Sequence, residues 1–177
     1  MSILTIVDMQ NSFLNDDTVM TEDEKYSLID NVIELVHMFK KRCLPIITLQ
    51  YQLQHGFELC YAKERQEYDE WIGTHPAIMD AIGDYDKLHI KWKHTDSGAL
   101  QVKRTLTENK YKGTVYLCGV NASACVMETW FGLTKKGKKI PTKAVIEATR
   151  NVYDDDIVQN YIKDVEKLDT VVKNINA

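Results

Sequence analysis

The chain predicts an α/β fold: a three-layer, doubly wound sandwich with helices on both faces of a mainly parallel sheet of about six strands. Two observations lead there. Short apolar, β-branched runs alternate with longer segments of helical period, the pattern of strands joined by crossover helices. The composition also suits one continuous core: 44% of the 177 residues are hydrophobic, and three Pro and eight Gly are too few for a linker-rich chain. At this length a single domain over 1–177 is expected.

The elements follow in order. Residues 3–8 (ILTIVD) read as a buried strand. Thr21 is the expected N-cap of a helix over 22–41, where Leu28, Val32, Leu35, Val36 and Phe39 recur at helical spacing and would pack on the sheet. Residues 45–50 (PIITLQ) form the second strand and 87–92 (KLHIKW) the third. Between them 51–85 has no clear pattern, apart from helical character at 61–71, and a long connection of this kind often shapes a substrate pocket. A helix over 98–109 leads to a fourth strand at 114–119 (TVYLCG). Another helix, over 124–136, is preceded by Ser123 and closed by Gly137. A fifth strand over 139–146, a helix over 154–167 and a short strand at 170–172 complete the expectation. There is no internal repeat or low-complexity tract.

Charge and patterning narrow the function. A formal net charge of −4 gives no basic footprint for nucleic acid. The densest basic run, KKGKK at 135–139, reads as a solvated turn. The start, MSILTIVDMQNSF, has neither the basic region nor the cleavage site of a signal peptide, and no apolar stretch reaches the ~18 residues of a membrane span. A soluble, cytoplasmic protein is expected. The four cysteines, Cys43, Cys60, Cys118 and Cys125, lack CxxC spacing and are expected as reduced thiols. A nucleotide-binding α/β domain is disfavoured, since neither GxGxxG nor GxxxxGK[ST] follows a strand.

Open parallel sheets bind ligands beyond the carboxyl ends of their strands. Asp8 ends the first strand, Lys93 lies just past the third, and Cys125 follows the fourth at the start of a helix. Unpaired amides and the helix dipole at that start favour a thiolate and could hold an oxyanion. Cys43 and Cys118 read instead as small buried residues. Asp8, desolvated at a strand tip, can take a thiol proton and return it to a leaving nitrogen; as a turn residue it would only cap the next segment. Lys93 can stabilise the developing negative charge, but Lys91 has the same strand parity and competes for that role.

Together these segments resemble the isochorismatase-like hydrolases. TIVDMQNSF is similar to that family's opening motif, KHTDSGAL to its lysine segment and CGVNASACVMETWFGLTKKG to its nucleophile segment, over residues 3–148 at least. The resemblance implies a Rossmann-like fold with Asp8 as general base and acid, Lys93 as charge stabiliser and Cys125 as a nucleophile that forms an acyl-enzyme. It implies a cis peptide at Val120-Asn121 that turns the Asn121 amide toward the oxyanion, and self-association into dimers or rings, for which Trp71, Trp130 and Phe131 are candidate anchors. Phe13 is either a pocket wall or a core residue. Isochorismatases proper typically lack the cysteine, so Cys125 points to C–N hydrolysis of an amide, ureido or carbamoyl compound. Nicotinamidases of the family hold a metal through an Asp-any-His motif, whereas this stretch reads TLQYQLQHG, leaving His55 and His75 isolated. No metal and no organic cofactor are expected. Two departures bear on substrate: Ser97-Gly98-Ala99-Leu100 stands where relatives have Ser-Ala-Phe, and Glu147-Ala148 where they have Asp-Ala. The rival expectation is a non-catalytic binding or assembly protein that keeps these residues unused.

Overall fold

The computed structural model describes residues 1–14, 20–52, 72–151 and 158–176. Six strands, β1 (Ser2–Val7), β2 (Ile46–Tyr51), β3 (Leu88–Lys93), β4 (Thr114–Gly119), β5 (Thr142–Thr149) and β6 (Val165–Glu166), pair in parallel in the order β3-β2-β1-β4-β5-β6. The strand order reverses between β1 and β4, and the crevice beyond their carboxyl ends is the place where such sheets hold ligands.

Alternation along β1 divides the core. Leu4 and Ile6 face a layer built from α2 (Glu22–Lys41), α3 (Pro76–Ile82) and α6 (Leu168–Asn176). Ile3 and Val7 face α4 (Ala99–Glu108) and α5 (Met127–Thr134). Helix α2 begins as expected: Thr21 accepts from the Glu24 amide, and the Glu24 carboxylate accepts from the Thr21 amide. The short helices α1 (Asn11–Leu14) and α3 were not anticipated, although His75 followed by Pro76 is a helix-start signal: the His75 ring accepts from the Ala77 amide at 3.3 Å.

Several expectations need correcting. Strand β5 starts three residues later than predicted, after Pro141, and runs on to Thr149, reaching the rim beside Gly119. Residues 170–172 lie in helix α6, because Leu168, Val171 and Ile175 are buried along one helical face and that burial overrides the β-branched run. The predicted helix over 154–167 is, in its described part, a 3₁₀ turn (Val158–Asn160) and then β6. Ahead of α5 the chain makes a π turn, Ala122–Val126, and Ser123 does not cap it; its hydroxyl donates to the Asn151 side chain at 2.9 Å. Cys43 is exposed rather than buried. Trp130 is buried, which removes it as an interface anchor, whereas Phe131 is exposed. Cys60, Trp71, His55 and the helical stretch 61–71 lie outside the described residues. Among the described residues no helix is long and apolar enough to cross a membrane.

Candidate active site

Asp8 leaves β1 with φ 48°, a left-handed backbone that Asp tolerates better than bulkier residues, and its amide donates to Leu49 O. Across the switch point, Gly119 ends β4 with φ 112°. A Cβ there would lie 2.1 Å from Val7 O, so only glycine lets β4 press against the end of β1. The chain then passes through a cis peptide at Val120-Asn121 into the π turn that carries Cys125. In this turn Asn121 O accepts from the amides of both Ala124 and Val126. π-Helical turns of this sort occur frequently at functional sites.

The third side chain comes from β3. Its register pairs Lys93 with Tyr51 at the rim and Lys91 with Leu49 further back, so that Lys93 is the lysine brought to the end of the strand. Lys93 is wholly buried, and its ammonium lies 2.8 Å from the Asp8 carboxylate, itself only 1% exposed. The same ammonium donates to the carbonyls of Thr95 and Asp96 at 3.1 and 3.0 Å, and it sits 4.4 Å from the centre of the Tyr51 ring. A buried cation with this much compensation is held in one position.

Burial raises the Asp8 carboxyl to about 6 despite the opposing charge of Lys93. The Cys125 thiol is pushed up to about 12, first by burial and then by the Asp8 charge, with Lys93 acting in the opposite sense. Burial thus works against the thiolate that the start of the helix was expected to favour. The thiol lies within interaction range of both Asp8 and Lys93, and apart from these two neighbours the Asp8 oxygens have no described hydrogen-bond donor. The carboxylate keeps acceptor capacity for a proton.

Two residues without an assigned role in the sequence reading frame the site. Gln10 donates to the carbonyls of Tyr51 and Ile72 and accepts from the Tyr51 amide, tying the end of β2 to the segment after β1. Tyr51 thereby holds its ring against Lys93. Phe13 packs edge-on to Tyr51, with ring centres 6.2 Å apart, and also touches the core. Asn121 is buried at 3% exposure. The Ser97 hydroxyl and Gly98 amide bond to Glu128 O and Thr129 Oγ1, while Leu100 is 55% exposed. The Glu147 carboxylate accepts from the Leu168 amide at the start of α6. His75 is engaged as the cap of α3.

Comparison with known proteins agrees with this architecture. The family model of the isochorismatase domain matches residues 2–157. No curated protein matches the sequence. Among solved structures, an isochorismatase family protein from Burkholderia thailandensis superposes with a TM-score of 0.73 at 17% identity, covering 99% of this chain and 96% of that one. N-carbamoylsarcosine amidase from Thermoplasma acidophilum gives 0.68 at 19% identity, with 95% and 96% covered. A cysteine hydrolase from Pseudomonas syringae pv. phaseolicola gives 0.70 at 16% identity, with 99% and 92% covered. At these identities the likeness is one of fold.

Proposed function

The chain belongs to the isochorismatase family, and from that premise we propose that it is a cysteine hydrolase cleaving the C–N bond of a small amide, ureido or carbamoyl compound. The observation that carries the reading is the meeting of a carboxylate, an ammonium and a thiol at the switch point, in a desolvated site. Amidase and cysteine hydrolase neighbours support it.

In the mechanism, Asp8 removes the Cys125 proton as Sγ attacks the substrate carbonyl. Negative charge passes to the carbonyl oxygen, held by the backbone amides of Asn121 and Cys125, while Lys93 offsets the charge accumulating near Asp8 and sulfur. Protonated Asp8 then gives its proton to the leaving nitrogen, the C–N bond breaks, and an acyl-cysteine thioester remains. Water, losing a proton to Asp8, attacks the thioester; the proton returns to sulfur as the C–S bond breaks. Each half-reaction leaves Asp8 ionised; the first leaves sulfur acylated and the second restores the thiol. Phe13 and Tyr51 supply the wall against which the substrate rests. The protein is placed in the cytoplasm as a homo-oligomer on the sequence reading.

One observation favours the rival reading, a binding or assembly protein: the Cys125 side chain is buried. Ammonia release from a panel of primary amides, ureides and N-carbamoyl amino acids decides between them. Turnover by the wild type that Cys125→Ala abolishes establishes the hydrolase. Turnover equal in the two proteins rejects the nucleophile, and an inert wild type across the panel moves the balance to binding.

A further inference from the structure

At the other end of the sheet from Asp8 and Cys125 lies a cavity of about 610 Å³, between the last turn of α4 and the segments that enter β4 and β5. Five lysines line it: Lys103, Lys110, Lys112, Lys138 and Lys139. Among the described residues no aspartate or glutamate does, in a chain with 26 acidic and 22 basic residues. The ion pairs among the described residues are Lys25–Glu22, Lys93–Asp8 and Lys143–Glu166, so none of the five is neutralised by one of them. Between them lies an apolar floor of Leu106, Ile140 and Pro141.

The lysines are brought together by built structure. Lys103 reaches across to the carbonyls of Gly132 and Lys136, fastening the 135–139 turn against α4. The Lys110 and Tyr111 amides close the end of α4 on Thr107 O and Leu106 O, and the Tyr111 hydroxyl lies 3.2 Å from the His89 ring. The run that the sequence presented as a solvated turn thus sends Lys138 and Lys139 to the same concavity as lysines some thirty residues earlier. Like charges gathered within about one Debye length of ~10 Å repel, and an anion between them removes that repulsion.

We propose that this cavity binds a small organic phosphate: an anion with several charges on a ring-sized apolar body. Lysines act on phosphate as point charges, and an apolar floor accepts a ring that a free inorganic ion lacks. The volume lies within the range of small-molecule sites, roughly 300–1,000 Å³. A nucleic acid or an anionic membrane would meet a molecule of net charge −4 whose basic groups here surround a concavity instead of forming a stripe. The site is a binding site distinct from the catalytic centre, since β4 separates the two by its own length, about 20 Å at ~3.3 Å per residue.

The test is calorimetric titration of the full chain with ATP as the probe, and with tripolyphosphate and adenosine as its two halves. ATP is expected to bind, each half to bind at least about tenfold more weakly, and added salt to weaken ATP. In Lys112→Glu/Lys139→Glu the ATP affinity should fall about tenfold or more, while Lys112→Arg/Lys139→Arg keeps it and both retain the wild-type rate of Cys125 alkylation. If the charge reversal lowers the melting temperature of the free protein, Lys110→Gln/Lys138→Gln takes its place. The proposal is overturned if ATP gives no binding at millimolar concentration, if the reversed variant binds as well as the wild type, or if a short RNA or anionic vesicles bind more tightly than ATP.

Discussion

Replacing Lys93 by methionine keeps the length of the side chain and deletes its charge, leaving Asp8 buried without its counter-ion. Breaking a buried pair in this way costs about 3–5 kcal/mol while the remaining group stays charged. Asp8 can escape by taking a proton. Its carboxyl stands at about 6 with burial raising it and Lys93 holding it down, so losing Lys93 moves it higher. A carboxyl raised above its unfolded value contributes stability that is complete below that unfolded value and is lost as pH climbs through the folded one, at about 1.4 kcal/mol per pH unit. In the wild type this loss ends near 6; in Lys93→Met it continues upward. The stability gap between the two proteins should therefore widen as pH rises from about 6 toward 8, and urea unfolding followed by circular dichroism at several pH values measures it directly. Asp8→Asn/Lys93→Met, with no buried charge at the pair, should recover much of the loss at the alkaline end. A gap under about 1 kcal/mol, or one that does not change with pH, would refute the assignment of Asp8 and Lys93 as a coupled buried pair.

Other outcomes follow from the same geometry. kcat/KM should rise through pH about 6 as Asp8 ionises, and Lys93→Met should move that limb upward; a limb that stays in place in the variant would show that another group is titrating. Iodoacetamide at mildly alkaline pH should label exposed Cys43 before Cys125, whose thiol is buried and raised to about 12; peptide mapping that finds Cys125 labelled first would reverse this reading of the resting site. Gly119→Ala places a methyl group against Val7 O at a positive φ, and a loss of several kcal/mol in unfolding free energy is expected; an unchanged urea midpoint would mean that the β1–β4 contact yields easily. Tyr51→Leu removes the ring beneath Lys93 and should lower kcat/KM more than Tyr51→Phe does, because only the phenylalanine keeps a π face for the ammonium.

Much of the sheet was legible in the sequence because its central strands are buried on both faces and read as short, mainly apolar runs, as at Ile3 to Val7 and Val115 to Leu117. Where propensity and tertiary contact disagreed, the sequence misled. Thr170, Val171 and Val172 look like a strand, yet the spacing of Leu168, Val171 and Ile175 buries a helical face against α2 and β5, and Glu147 caps its start from a distance of 21 residues. Parity could not separate Lys91 from Lys93, since both point to the same side of β3; the parallel register, which only the folded sheet defines, sets Lys93 beside Tyr51 at the rim. The π turn was equally hidden, because an α start and a π start bury nearly the same side chains. What distinguishes them is the acceptance of two amides by Asn121 O.

The state of the thiol shows how the site's parts depend on one another. Burial and the neighbouring Asp8 charge both push the Cys125 thiol up, so moving its proton to Asp8 in the empty site is disfavoured. A standing thiolate is therefore not the resting nucleophile on the proposed mechanism. Proton transfer becomes favourable only as the attacked carbonyl takes up the negative charge, so that sulfur never holds it alone. This arrangement makes the site sensitive to substrate geometry: a carbonyl that misses the amides of Asn121 and Cys125 leaves the proton where it is. Lys93 fits this division of labour. On that mechanism its ammonium, held by Thr95 O, Asp96 O and the Asp8 carboxylate, acts by holding Asp8 ready as a base more than by binding substrate. Lys93→Met should accordingly lower kcat far more than it raises KM, whereas a lysine that contacts substrate would raise KM on its loss.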